Sequence, residues 1–416
     1  MNMVKALLLI GALIGLGGCG PEESSSSVDE KKINSKPENL IVWEDIGKSD
    51  ALAPAIKSFE EKTGINVEVK EVEMSSQMKE RIRLDGPAGT GPDVFTLPHD
   101  QIGQLAIEGI LNPIDVNEKI LNQFTDSSID SQTYDGKVYG LPKAAETPVL
   151  IYNKKLMGQA PASMEELYAL SKNTEPGQYG FLAVWNNLYF GFGVMGGMDG
   201  YIFDDEGGSL NRKDIGLNND GSVKGAEYIK KWYQEGIFPK GLFGENGGAT
   251  MESLFIEGKA SAVMAGPWAF NSFREAGVNI GVAPLPKLPN GEPMKTLIGV
   301  KGWHVSSYSS HAKWAQMLVE HLSSEENARI RFETTGEIPP VKSLLNDPLI
   351  QDNQEANAVA IQSTYGVPMP NIPEMGEVWG PMGTALELIT LDKKPTEEAL
   401  DEAVKTIQSS IEANHQ

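Results

Sequence analysis

The chain has 416 residues, a formal net charge of −22 and an apolar fraction of 40%. So acidic a balance, without clustered Lys and Arg, excludes nucleic acid as a partner, because binding a phosphate backbone needs grouped cations. The single cysteine, Cys19, excludes internal disulfides and thiolate metal sites, and past the N-terminal stretch no uninterrupted apolar run is long enough to cross a bilayer.

The chain starts with Lys5, an apolar stretch from Ala6 to Leu16, and the run Leu16-Gly17-Gly18-Cys19. This resembles a bacterial lipoprotein signal: a charged start, a short apolar region and small residues before the cut. The resemblance implies loss of residues 1–18 and lipidation of Cys19 as the new N-terminus, where two or more acyl chains give durable anchoring. An ordinary secretory signal with an incidental cysteine is the alternative. The expected location is extracytoplasmic, tied to the cell membrane. Residues 19–38 carry Ser24 to Ser27 and a charged segment up to Pro37, and read as a flexible tether.

About 380 residues follow, more than one hydrophobic core usually holds, which predicts two lobes. Leu40-Ile41-Val42-Trp43 reads as a strand, and a helical stretch with Leu52, Ile56 and Phe59 on one face follows, capped by Gly64. Ile65 to Val69 alternates as a second strand, a polar helix runs through Leu84, and Asp93 to Leu97 reads as a third strand after the turn Gly89-Thr90-Gly91-Pro92. Strand–helix repetition at this spacing predicts an α/β lobe with a parallel sheet.

Tyr139-Gly140-Leu141-Pro142 precedes a buried strand, Val149 to Asn153, and Ala144 to Pro148 between them suit a crossing between lobes. Between Gly177 and Phe203 aromatics are dense: Tyr179, Phe181, Trp185, Tyr189, Phe190, Phe192 and Tyr201, which fit a core or a ligand platform. Ser222 to Gly236 reads as an amphipathic helix and Leu254 to Met264 as helix, turn and strand, closed by Gly266-Pro267-Trp268. A second crossing is expected from Ala283-Pro284-Leu285-Pro286, and a third at Ile338-Pro339-Pro340.

Enzyme signatures are sparse. His99, His304, His311, His321 and His415 show no paired ligand spacing, and Walker-type and Gly-x-Ser-x-Gly loops are absent from the sequence. The 57 acidic residues leave a glycosidase pair of carboxylates open, since its spacing is spatial. Trp268 and Trp379 both follow glycine- or proline-marked turns. A sugar ring has an apolar CH face and an edge of hydroxyls, so flat aromatics suit one and carboxylates, amides or ammonium groups the other. Trp43, within an apolar strand, reads as core.

Val42-Trp43-Glu44-Asp45, Asp85 to Asp93, Tyr139-Gly140-Leu141-Pro142, Tyr152-Asn153-Lys154, Gly266-Pro267-Trp268 and Pro370-Asn371-Ile372-Pro373 together resemble the family 1 extracellular solute-binding proteins, the receptors of ABC sugar importers. The resemblance covers the mature chain. It implies a two-lobed, periplasmic-binding-protein-like fold with parallel-rich sheets, one lobe from residues 39–145 and 285–337, the other from 149–281 and 341–416, joined by three hinge segments. It further implies a non-catalytic monomer without cofactor or metal, which binds a maltodextrin, cyclodextrin or galacto-oligosaccharide in the cleft. Closure on the sugar makes the form an ABC permease recognises. On the matching positions, Trp268, Trp379 and Tyr189 stack sugar faces, Lys48, Asp100 and Glu146 bond hydroxyls, and Asp45 lies beside them. The simpler roles are a helix N-cap for Asp100 and solvated charges for Lys48 and Glu146.

The chain departs from the enteric maltose pattern at Leu97, Gln101 and Gly383, where a tryptophan and two arginines are expected. A mismatched buried donor costs ~1–3 kcal/mol, enough to change the preferred sugar. The runs Trp43-Glu44-Asp45 and Glu337 to Leu344 resemble galacto-oligosaccharide and cyclodextrin receptors more closely, so α-glucan and β-galactan both stay open. The rival functions are a surface glycosidase and a receptor for a peptide or metal ion.

Overall fold

The computed structural model describes residues 36–205, 210–239, 241–243 and 246–415. The expected export segment, Cys19 and tether residues 19–35 lie outside them. Strand β1 (Asn39–Glu44), helix α1 (Ala53–Thr63), β2 (Asn66–Glu71), helix α2 (Lys79–Asp85) and β3 (Val94–Pro98) form the α/β unit the spacing predicts. β1 pairs in parallel with β2, Val42 opposite Val69, and with β3, Val42 opposite Val94. Successive side chains leave opposite faces of a strand, so Leu40 and Val42 enter one core with Phe59, while Trp43 and Phe95 enter another with Met78 and Ile82. Trp43 is 1% exposed, as its setting in the strand implied. Gly64 ends α1 at φ 65°, a left-handed conformation that glycine adopts without a Cβ clash.

Helix α3 (Ile102–Ile107) follows β3, and β4 (Gly140–Glu146) leads directly into β5 (Val149–Asn153) of a second sheet. That lobe continues with α4 (Met164–Lys172), α5 (Leu188–Gly196), α6 (Asp220–Gln234), α7 (Gly247–Ile256), β6 (Ala262–Ala265) and β7 (Ile280–Ala283). The chain returns to the first sheet in β8 (Leu297–Ser306), which pairs antiparallel with β3 and β4. It ends through α8 (Glu325–Thr335), α9 (Gln354–Ser363), β9 (Val367–Pro368), α10 (Gly376–Thr390) and α11 (Thr396–Asn414), the last two packed on α6.

The two-lobed α/β architecture stands, with one correction of detail. The second lobe's sheet is not parallel-rich around β5: β6 and β7 both pair with it antiparallel, and parallel pairing is carried by bridges from Tyr179 and Leu182 to Ala260 and Val263. Connectivity explains the direction. β5 leaves the crossing while β6 and β7 run back to it, so Ala265 ends opposite Val149 and Ala283 opposite Leu150. Gly266-Pro267-Trp268 is thereby delivered to the lobe junction. The aromatic run divides: Phe181, Trp185 and Phe192 are buried with Trp232 and Phe238, Trp185 and Trp232 meeting edge-on at 5.4 Å.

Three stretches lie side by side at the junction. Thr147 Oγ1 donates to the Leu297 carbonyl at 3.0 Å, and the Ala145 N–H to the Ile338 carbonyl at 2.8 Å. The second crossing therefore comes later than Ala283-Pro284-Leu285-Pro286, and residues 285–295 do not join the first lobe as expected: before reaching Leu297 the chain runs along the second lobe, where the Lys287 carbonyl accepts from the Met164 N–H and the Lys295 N–H donates to the Gly193 carbonyl.

Candidate functional site

The carboxyl ends of β1 and β3 open toward the junction, the edge at which open α/β sheets bind ligands. The turn after β1 supplies Asp45 and Lys48, the turn after β3 supplies Asp100, and the end of β4 supplies Glu146. From the other lobe come Tyr189 in the first turn of α5, Trp268 after β6 and Trp379 in the first turn of α10.

Trp268 is set by its own motif. A Cβ on Gly266 would lie 1.9 Å from the indole Cζ3, so the ring folds back over a backbone only glycine leaves clear. Pro267 starts the short helical turn that follows. Tyr189, whose N–H is capped by the Asn187 side chain, has its ring centroid 6.1 Å from that of Trp268, and Phe190 lies 6.4 Å from it. Two of the bonds between the lobes are made by these residues: Lys48 Nζ donates to the Trp268 carbonyl at 3.1 Å, and Trp379 Nε1 donates to Asp100 Oδ2 at 3.1 Å.

The structure thus brings the seven sequence-selected residues to one junction, each partly or fully buried. Asp45 sits at its edge, where its Oδ1 accepts from the Ile46 and Met74 N–H groups and braces the loop. Asp100 is not an N-cap, and Lys48 and Glu146 are not solvated surface charges. Burial pushes the Asp100 carboxyl up to about 6, partly offset by the Trp379 bond and Lys79. Burial also raises Glu146, against the attraction of Lys301 2.8 Å away. Burial and the Glu146 charge hold the Tyr189 hydroxyl well above its usual range.

Sequence reasoning missed several groups here. Lys301 and Glu337 are buried beside Glu146, and Glu44 and Lys143 continue the line of charge. A lysine inside an otherwise apolar strand, as in Leu141-Pro142-Lys143-Ala144 and Gly299-Val300-Lys301-Gly302, is the available signal, because a buried ammonium must be paired. Glu252 on α7 is raised by burial while Lys48 favours its charge. The departures are also placed. Leu97 is core, Gln101 Oε1 is buried without a hydrogen-bond partner among the described residues, and Gly383 has nothing within 4 Å of a would-be Cβ. Among the described residues no cluster of three His, Cys, Asp or Glu could hold a metal, and no helix is long and apolar enough to cross a membrane.

A family model for the bacterial extracellular solute-binding protein matches residues 54–358. The chain belongs to that family. It is 46% identical to the galactooligosaccharide-binding protein of Bacillus subtilis, covering 100% of this chain and 99% of that one. It is 31% identical to a maltooligosaccharide ABC transporter solute-binding lipoprotein of Streptococcus pneumoniae, covering 99% and 98%. A crystal structure of a cyclo/maltodextrin-binding protein complexed with maltotetraose is 42% identical and superposes with a TM-score of 0.76, over 92% of this chain and 100% of that one. The family and these relatives are solute-binding proteins rather than enzymes.

Proposed function

We propose that this chain is the lipid-anchored receptor of an ABC sugar importer, holding a short oligosaccharide between Trp268 with Tyr189 and Trp379, and presenting the closed form to the permease. The observation that carries the reading is the convergence, from both lobes, of three aromatic rings with Lys48, Asp100 and Glu146. The rings suit the CH faces of a sugar; the ammonium and carboxylates suit its hydroxyls. Lys48 and Asp100 each make a bond to the other lobe, which favours the closed form that holds the sugar.

Galacto-oligosaccharide is the leading ligand, on 46% identity across the whole chain to a protein of that name, on the loss of a stacking surface at Leu97, and on the absence of charged donors at Gln101 and Gly383. Maltodextrin is the second, favoured by the 42% identity to the maltotetraose complex. The receptor works without cofactor or metal, as a monomer. Cys19 carries the anchor after loss of residues 1–18, a reading supported by Leu16-Gly17-Gly18-Cys19 and by the lipoprotein relative. Prolonged incubation with β-1,4-galactotriose and maltotriose tests the reading: a receptor binds one and returns it intact, whereas shortened products identify a glycosidase.

A further inference from the structure

Each of the three chain stretches at the junction contributes one charged side chain to a single chain of ion pairs, Lys301 and Glu337 buried and Glu146 largely so. Glu146 ends β4, Lys301 lies in β8 just after the second stretch, and Glu337 opens the third. Lys301 Nζ lies 2.8 Å from Glu146 Oε2 and 3.2 Å from Glu337 Oε1. Glu337 Oε2 lies 3.7 Å from Lys143 Nζ, which lies 2.6 Å from Glu44 Oε1. Arg331 of α8 completes the charge balance, its guanidinium donating to the Lys143 and Leu322 carbonyls. At its cleft end, Lys301 Nζ stands 6.0 Å from the Trp268 ring centroid.

Burying such a chain is not the economical route to stability, because desolvation offsets most of the Coulomb attraction and apolar residues of similar size serve as well. The placement suits another use. The backbone bonds from Ala145 to Ile338 and from Thr147 to Leu297 hold the stretches edge to edge. The ion pairs add a side-chain link whose last member, Glu146, faces the cleft. We propose that Lys301 is a positioning residue that orients Glu146 for the ligand and, through Glu337, couples occupation of the cleft to the arrangement of all three crossings. This rests on Glu146 meeting the ligand, as in the function above. Removing Lys301 alone leaves two buried carboxylates facing each other. Removing Lys301 and the Glu337 charge together restores the balance but leaves Glu146 unoriented.

The test compares Lys301→Met with the double variant Lys301→Met/Glu337→Gln, in chains carrying Cys19→Ser and dyes on Lys57→Cys and Lys224→Cys, one exposed site in each lobe. Thermal unfolding, oligosaccharide affinity and the interlobe distance distribution without ligand are read together. The single variant is expected to unfold earlier and bind at least tenfold more weakly. The double variant is expected to recover much of the thermal stability while staying at least tenfold weaker, with both distance distributions shifted from the parent's. Recovery of parental affinity along with stability overturns the proposal, as does parental affinity in the single variant. If the parent binds no sugar, a shifted distribution removes the sugar reading and leaves the coupling standing, and an unchanged one overturns the coupling.

Discussion

The Trp379 indole N–H and the Asp100 carboxylate meet across the two lobes at 3.1 Å, so one bond satisfies a donor from α10 and a buried acceptor from the turn after β3. Trp379→Phe keeps an aromatic face and loses the donor. A net hydrogen bond of about 1 kcal/mol predicts about a fivefold loss of sugar affinity. Trp379→Ala and Trp268→Ala each remove an aromatic anchor and are expected to cost about 2 kcal/mol, roughly thirtyfold. Calorimetric titration checks both; unchanged affinity in both alanine variants, with the fold intact, places the ligand elsewhere.

Asp100 makes binding depend on pH. Its carboxyl is raised from 3.8 to about 6, chiefly by burial. The folded state therefore holds the proton more tightly than the unfolded chain. This group's stabilising contribution is full below about pH 4 and lost as pH rises through 6. For binding the sign is opposite: acidification through about 6 protonates the acceptor that a sugar hydroxyl or the indole uses. Affinity is expected to fall from pH 7 to pH 5, and Asp100→Asn to flatten that slope; parallel slopes contradict it.

His99 works against folding in acid. Its Nδ1 accepts from the Val300 N–H at 2.9 Å and its Nε2 donates to the Met369 carbonyl at 2.8 Å, so the neutral ring is the one that fits. Burial lowers its pKa to about 4, and the unfolded chain takes up this proton first as pH drops below 6.5. A shift of that size removes about 3 kcal/mol between pH 6.5 and 4. His99→Asn is expected to be less stable at pH 7 by ~1–2 kcal/mol through its lost bond, with that gap narrowing toward pH 4.5 in thermal unfolding. A constant gap contradicts the assignment.

Gly103 sets a close approach. A Cβ there would lie 2.6 Å from the Asn371 carbonyl oxygen and 2.9 Å from Pro373 N, both backbone atoms. Asn371 Nδ2 also donates to the Asp130 and Thr133 carbonyls, which fixes the turn leading to Trp379. Gly103→Ala is expected to destabilise by about 1–3 kcal/mol through overpacking and to weaken sugar binding by displacing that turn. Chemical denaturation and titration of the same sample check it; loss of neither contradicts the packing.

The first lobe was legible because β1 and β3 are short apolar runs, β2 alternates and Gly64 punctuates α1, signals that local sterics enforce. The second lobe's strand directions were not, because pairing β5 with β6 joins residues about 110 positions apart, and no local pattern records direction. In the site, Trp268 and Trp379 were marked by adjoining glycine and proline turns. Lys301 and Glu337 were not, since each becomes meaningful only beside the other, 36 positions away. Asp45 stands with the cleft residues, its charge acting on Glu146 and Lys301, and its Oδ1 also accepts from the Ile46 and Met74 N–H groups, a partnership set by the fold of the 45–74 loop that no local pattern records.

Calorimetric titration with β-1,4-galactotriose, maltotriose and a cyclodextrin in parallel tests the central claim most directly. The account predicts saturable binding of at least one, galactotriose foremost, with the sugar recovered unchanged. Failure of all three to bind would contradict an oligosaccharide receptor, whatever the fold.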